Sequence, residues 1–475
     1  MAIISSIISA IGNNSSIYPL IVRDCGIEVP TKVYKTYKQN KDDKEIAYLA
    51  TRERLIDEYA TSAVWLGGIP LISKIAGMLI KRSGYNPKIN IKLVNAEEKL
   101  EKIDKQISTT TDEAVKTKLL KERANVYLQS ISGNIEKFSS KEGTEDIIES
   151  LKKVKQNKNI YKRLQANKLF AEIAIPIAFM GYIIPKSVYA LTAATRRKID
   201  KLKTKNIKTQ ETSFTSNYNM DKFIKNSKNE ISFNGNLSSS LCNMTTVQKM
   251  AATDGGYAVG RVATARKKKG AVDIAFRMAG MMYLNFVAPK QIEKILSWTS
   301  KQLFNLNVDL DPKILNDNEF IRQISNKTIK LPKTNDLKVI LEFIDNPANK
   351  DTLYVKYLKE LKIVDFLDND VRNPAAYVEE ESVIKLKNNI EAFMNGTENL
   401  KNRTMEKLKD IKIQDKEKEI NKAIKGYIRK AKGAKTFNII SNVALSSYLL
   451  ACVLPDAQYL FREKVLGTKL EPDLL

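Results

Sequence analysis

Four strongly apolar runs, each closed by a proline, limit what this chain can become more than any other feature. They occupy residues 60–82, 168–197, 270–297 and 436–462, and their prolines are Pro70, Pro185, Pro289 and Pro455. Aligned on the proline, the endings read WLGGIP, MGYIIP, LNFVAP and LACVLP, a short and degenerate internal repeat. Proline lacks the N–H of a helical hydrogen bond and its ring clashes with the carbonyl four residues back, so each block is expected to kink or stop there. The stretches free of charge are residues 60–73, 173–185, 278–289 and 436–455. Only the last approaches the roughly 20 residues that span a bilayer. The shorter three would need the flanking Lys74, Lys186 and Arg277 to snorkel or to face protein.

The flanks do not settle an orientation. Lys and Arg crowd both sides of the second and third blocks, so both sides look cytoplasmic, which a simple span with one positive side does not predict. Hairpins bent at the prolines, or helices lying in the interface, would place both flanks on one leaflet. The whole chain carries 79 Lys and Arg against 54 Asp and Glu, a net charge of +25. Such a field favours anionic lipid, nucleic acid or an acidic partner. An AT-rich coding sequence would also enrich Lys, Asn and Ile together, so the charge by itself names no ligand.

The 475 residues suffice for two or three domains. Residues 1–88 hold an N-terminal apolar segment and the first block. Residues 2–11 read as a short surface-seeking helix that is not cleaved, because the first 22 residues lack the basic start of a signal peptide. Residues 89–167 read as a helical hairpin plus a connecting helix. Leu93, Ala96, Leu100, Ile103 and Ile107 keep one helical face, and Thr110 with Glu113 fits a capping box at the second helix. The connecting helix is expected from about Glu145 to Lys168. Residues 168–202 are the second membrane block, and residues 203–246 form a polar linker open to disorder. Residues 247–300 carry a basic segment and the third block. Residues 301–398 read as a small water-soluble α domain, its core drawn from Leu315, Phe320, Ile321, Val339, Leu341, Phe343, Ile344, Leu358, Leu361, Val364, Phe366 and Leu367. Residues 399–475 hold a basic amphipathic helix and the fourth block. The expected fold class is therefore all-α: a membrane-associated helical protein with about four Pro-kinked apolar helices, a helical hairpin and a small soluble α domain.

Candidate functional residues follow from charge placement. Between residues 415 and 434, Ile420, Ala423, Ile424, Tyr427 and Ile428 share one helical face, while Lys418, Lys422, Lys425, Arg429 and Lys432 share the other. That pattern suits a helix on an anionic leaflet, where each cation contributes about 1 kcal/mol. A helix docked on the soluble domain, with its charges in water, is the plainer alternative. Glu172, Asp273 and Arg277 are possible intramembrane charges, and Asp273 and Arg277, four apart, can pair on one face. The run DGGYAVGRV spaces Gly255 and Gly260 like a phosphate loop, but Arg261 and Val262 stand where Lys and a hydroxyl residue belong. Gly256 and Gly260 fit better as a small-residue face for close helix packing.

No histidine occurs, which removes the commonest general base and the commonest zinc ligand. Cys25, Cys242 and Cys452 suit neither a disulfide framework nor a metal site, and imply a reducing compartment. No catalytic, cofactor or metal site is expected. The preferred function is a non-catalytic scaffold or anchor embedded in a cytoplasmic membrane, its partners anionic lipid and a protein held by the hairpin or the soluble domain; nucleic acid is not expected. A polytopic transporter or channel component is the alternative, and a soluble helical interaction protein the third. The oligomeric state stays open.

Overall fold

The computed structural model describes residues 21–205, 246–408, 413–470 and 472. The expected N-terminal surface helix and nearly all of the polar linker lie outside these residues. Among the described residues every regular element is helical, apart from an isolated antiparallel bridge between Phe366 and Arg372. The all-α class therefore holds. Four helices are long and apolar enough to cross a membrane, Lys44–Arg82, Lys158–Lys201, Lys268–Phe304 and Lys418–Leu466, and each contains one of the four blocks.

The prolines do not act as simple breaks. Three lie inside continuous helices, each preceded by a five-residue π turn: Val64–Gly68 before Pro70, Phe179–Ile183 before Pro185, and Leu449–Val453 before Pro455. In all three the π turn ends two residues before the proline. A π turn reaches back to the fifth residue instead of the fourth, which makes room for the ring and moves the missing bond to a place where the ladder is already loosened. A further π stretch, Val22–Glu28, stands in the same relation to Pro30. Only the third block follows the simpler expectation. Its helix Lys268–Phe286 ends, and Pro289 sits in the first turn of Ala288–Phe304, where a missing N–H costs nothing.

The chain forms two compact units. Among the described residues, the first comprises residues 21–23, 76–165, 283–408 and 413–448. Its hairpin is present as Ile91–Thr109 and Glu113–Leu128, tied across by Lys99 to Glu122 at 2.7 Å and Arg123 to Asp104 at 2.5 Å. The second helix is capped by Asp112, which accepts from the Ala114 and Val115 amides; the expected Thr110 box is displaced because a carboxylate two residues later reaches those amides directly. The connecting helix is also two, Glu145–Gln156 and Lys158–Ala178, separated at Asn157. An unanticipated short helix, Ile131–Phe138, opens on a Ser130 cap.

The core of this unit gathers Leu315, Phe320, Leu341, Ile344, Leu358 and Val364, as expected, with Ile321, Phe343, Leu361 and Phe366 packed against it. Ile340 is buried beside them where Val339 was expected, a one-residue difference in which face of Leu337–Asp345 turns inward. The core is completed from far along the chain by Ile420, Ile424, Ile428 and Ala431 of the helix Ile413–Tyr448. Beside it, Arg372 donates from Nε and Nη2 to both oxygens of Asp345 at 3.0 Å, and Lys137 reaches the same carboxylate at 2.7 Å. Burial would push the Asp345 carboxyl up, but the two cations outweigh it and hold it below its ordinary value.

Among the described residues, the second unit comprises residues 24–75, 166–205, 246–282, 449–470 and 472. Val29–Asn40 packs along Lys44–Ala63, whose first turn is capped by Asp43, and Ile184–Lys205 packs on the same helix. Thr246–Ala263 lies against the π turn Phe179–Ile183.

Candidate functional site

Close helix packing in the second unit rests on glycines. A Cβ at Gly256 would lie 2.3 Å from the Ile177 side chain, and one at Gly260 would lie 2.9 Å from the Gly181 Cα. The small-residue face is therefore the structural role of this run, and the incomplete phosphate-loop spacing falls within the unbroken helix Thr246–Ala263. Gly181 also carries the carbonyl that Pro185 cannot bond. The Thr264 hydroxyl, 3.4 Å away, donates to it across the seam.

Around this seam the unit buries charge. Arg261 pairs with Asp57, both deeply buried, and its guanidinium stacks 5.4 Å from the Tyr257 ring. Lys32 pairs with Glu28 and lies 3.7 Å from Glu58, which also receives Arg54 at 3.3 Å. Burial alone would push the Lys32 ammonium down; Glu28 and Glu58 hold it above its ordinary value instead. Arg266 reaches Glu53 at 3.0 Å. Trp65, inside a π turn, donates from Nε1 to Asp254 at 2.9 Å, and burial pushes that carboxyl up to about 7 despite the bond.

The sequence-predicted charges fall into this unit, with different partners from those expected. Asp273 does not depend on Arg277: its oxygens receive Nε and Nη2 of Arg462 at 2.8 and 2.7 Å and Nε2 of Gln458 at 2.8 Å. A guanidinium from another helix can align its two N–H bonds with a carboxylate, which a side chain one turn along the same helix does less well. Glu172 is buried, 3.4 Å from Lys249 and 3.8 Å from Lys168. Arg277 is buried at 7 % exposure, and among the described residues its Nε has no hydrogen-bond partner. Lys35 completes the polar layer, donating to the Cys452 carbonyl at 2.8 Å and to Asp456 at 2.6 Å.

A small half-open cavity of about 50 Å³ lies in this network. Thr36, Glu53, Arg54, Asp57, Tyr189, Arg261 and Arg277 line it, with Ala50, Val188 and Ile274 as its apolar wall. Asp57 also has a buried oxygen, Oδ1, with no hydrogen-bond partner among the described residues. Arg462, Gln458 and Asp57 were not singled out from sequence, and Arg261 was noted only as a misfit to a phosphate loop. Their only signal was that each is polar within or beside an apolar helical stretch.

The basic helix reads differently in three dimensions. Ile420, Ile424 and Ile428 are spent on the core of the first unit, so its apolar face is not available to a leaflet. Lys418, Lys422, Lys425 and Arg429 remain exposed, with Lys432 half-buried. Among the described residues no cluster of Cys, Asp or Glu could hold a metal ion, and Cys25 and Cys452 are free thiols. No family model matches the chain, and neither a curated protein nor a solved structure matches it.

Proposed function

We propose that this protein is a membrane-embedded scaffold or anchor without catalytic activity, its apolar helices in the lipid and its soluble helical unit presented at a cytoplasmic face. The observation that carries this reading is the outward direction of the apolar side chains. Within the most apolar stretch of Lys44–Arg82 only 11 % is buried. Leu71, Met78 and Leu79 of that helix stand 57, 55 and 60 % exposed, and Phe437 and Val465 of the fourth span 66 and 64 %. Leaving such area in water costs about 25 cal/mol per Å², and apolar patches beyond a few hundred Å² mark interfaces with lipid or protein. A soluble interaction protein would turn these faces into its core. The exposed Lys418, Lys422, Lys425 and Arg429 support contact with anionic headgroups through charge alone, without insertion of their helix.

A transport component is the second reading, favoured by Asp273 and Arg462, which are paired and only 2 % exposed within candidate spans. The membrane reading is tested by alkaline carbonate extraction of cells expressing the full chain. Retention in the pellet is the expected result, and release into the supernatant as a monodisperse species overturns it. Solute flux in liposomes separates the two membrane readings, since an anchor carries none.

A further inference from the structure

The cavity beside Arg277 has an unbalanced charge. Among the described residues, Lys32, Arg54, Arg261 and Arg266 each have a carboxylate within 4 Å, drawn from Glu28, Glu53, Asp57 and Glu58, whereas Arg277, which lines the cavity, has none. Four cations have a carboxylate, and Arg277 is the fifth. Arginine cannot relieve a buried charge by losing its proton, so an enclosed guanidinium needs an anion or ordered water. The space fits one. A water needs roughly 10–15 Å³ of such volume, so a cavity of about 50 Å³ admits a few waters or a single tetrahedral oxyanion in their place.

The second orphan atom narrows the chemistry. Asp57 lines the same cavity, and among the described residues its Oδ1 is an acceptor with no donor. Water could satisfy both atoms but leaves the charge of Arg277 unmatched; an anion that satisfies both must offer a charged oxygen to the Arg277 N–H and a hydroxyl to Asp57. Chloride, a carboxylate and sulfate lack that hydroxyl, and their charge would face the carboxylate. A monoanionic phosphate has both, whether dihydrogen phosphate or a monoester that keeps one proton, and its single negative charge matches the single excess cation. We infer that this cavity is a binding site for a protonated phosphate group, either inorganic phosphate or the headgroup of a phosphomonoester lipid.

The test uses the full chain purified in a phosphate-free mild detergent at about pH 6, near the second ionisation of a phosphomonoester. Calorimetric titration and thermal unfolding are followed with inorganic phosphate, with sulfate, and with micelles doped with phosphatidic acid or with phosphatidylcholine. Phosphate is expected to bind and raise the unfolding temperature, and sulfate to do neither. Saturation by inorganic phosphate identifies the free ion as a ligand; a response to phosphatidic acid alone identifies the lipid headgroup. Arg277→Met should weaken binding roughly tenfold or more, as expected for loss of a charge-assisted bond. Asp57→Asn, which offers a donor in place of the carboxylate, should let sulfate bind. That gain keeps the inference testable if Arg277→Met does not fold. No response to phosphate or phosphatidic acid, equal binding of phosphate and sulfate by the unmodified chain, or unchanged selectivity in Asp57→Asn would each overturn it.

Discussion

Gly181 and Gly260 meet backbone to backbone: a Cβ added at Gly260 would stand 2.9 Å from the Gly181 Cα and 3.1 Å from its carbonyl oxygen. No flexible side chain is there to yield. Gly260→Leu should therefore force the helix Thr246–Ala263 off the π turn Phe179–Ile183 and cost at least about 1–3 kcal/mol, the range of overpacked cores. Gly426 supplies the contrast, because no described residue beyond its own helix comes within 4 Å of its Cβ position in the helix Ile413–Tyr448. Gly426→Ala should gain about 0.5–1 kcal/mol from helix propensity. Thermal unfolding of both variants in detergent decides; a neutral Gly260→Leu would mean that the seam is looser than described.

Asp345 neutralises the wholly buried side chain of Arg372. Asp345→Asn should leave that guanidinium without a counter-charge and cost about 3–5 kcal/mol, as other broken buried pairs do. The carboxyl is held below its ordinary value in the folded chain, so its stabilisation is present above the unfolded carboxylate range and disappears as pH falls through the lower, folded value. Denaturant unfolding of the two proteins should show the gap between them closing as the solution is acidified. A gap independent of pH would contradict the ion pair.

Asp254 works in the opposite sense. Its carboxyl is raised to about 7 when folded, so the folded chain binds a proton that the unfolded chain has released. That contribution is complete below the ordinary carboxylate range and is lost as pH climbs toward 7. Asp254→Asn, which mimics the protonated acid, should show a flatter fall of unfolding temperature between about pH 4 and 7 than the unmodified chain. Parallel curves would rule out the shift.

Asp273 and Arg462 form a pair that should be costly to break and cheap to replace. Asp273→Leu or Arg462→Met alone should cost about 3–5 kcal/mol, whereas the two combined should recover most of that loss. Chemical unfolding of the three variants gives the coupling. Additive losses would show that the two residues do not depend on each other.

Local signals in the sequence located the helices well, because apolar period and capping chemistry are set within a few residues. The hairpin, the four apolar helices and much of the core of the first unit were legible in this way, and Gly256 with Gly260 was recognisable as a packing face. What escaped was long-range. Nothing near Ile420 or Ile428 tells whether that face meets a leaflet or the side chains of Phe320 and Leu358, since both are equally apolar. Asp273 announced a need for a cation, but Arg277 on the same helix was the only partner visible without knowing that Leu454–Phe461 packs alongside. The π turns were hidden for another reason: a proline's effect on its helix depends on whether the preceding turn can admit an extra residue, which composition does not encode.

That extra residue has a consequence for how the apolar helices tolerate insertion and deletion. Each α-helical residue advances the side chains by roughly 100°, so a turn with one more residue reorients everything downstream by about that angle. Deleting a single residue from Phe179–Ile183 would tighten the turn and swing Ile184–Lys205 around its axis, carrying Val188 away from the arginine cavity that it walls and Thr195 away from Arg52. The spacing between each π turn and its proline is thus a rotational setting, and a frame-preserving loss of one residue there should be more damaging than a substitution at the same place.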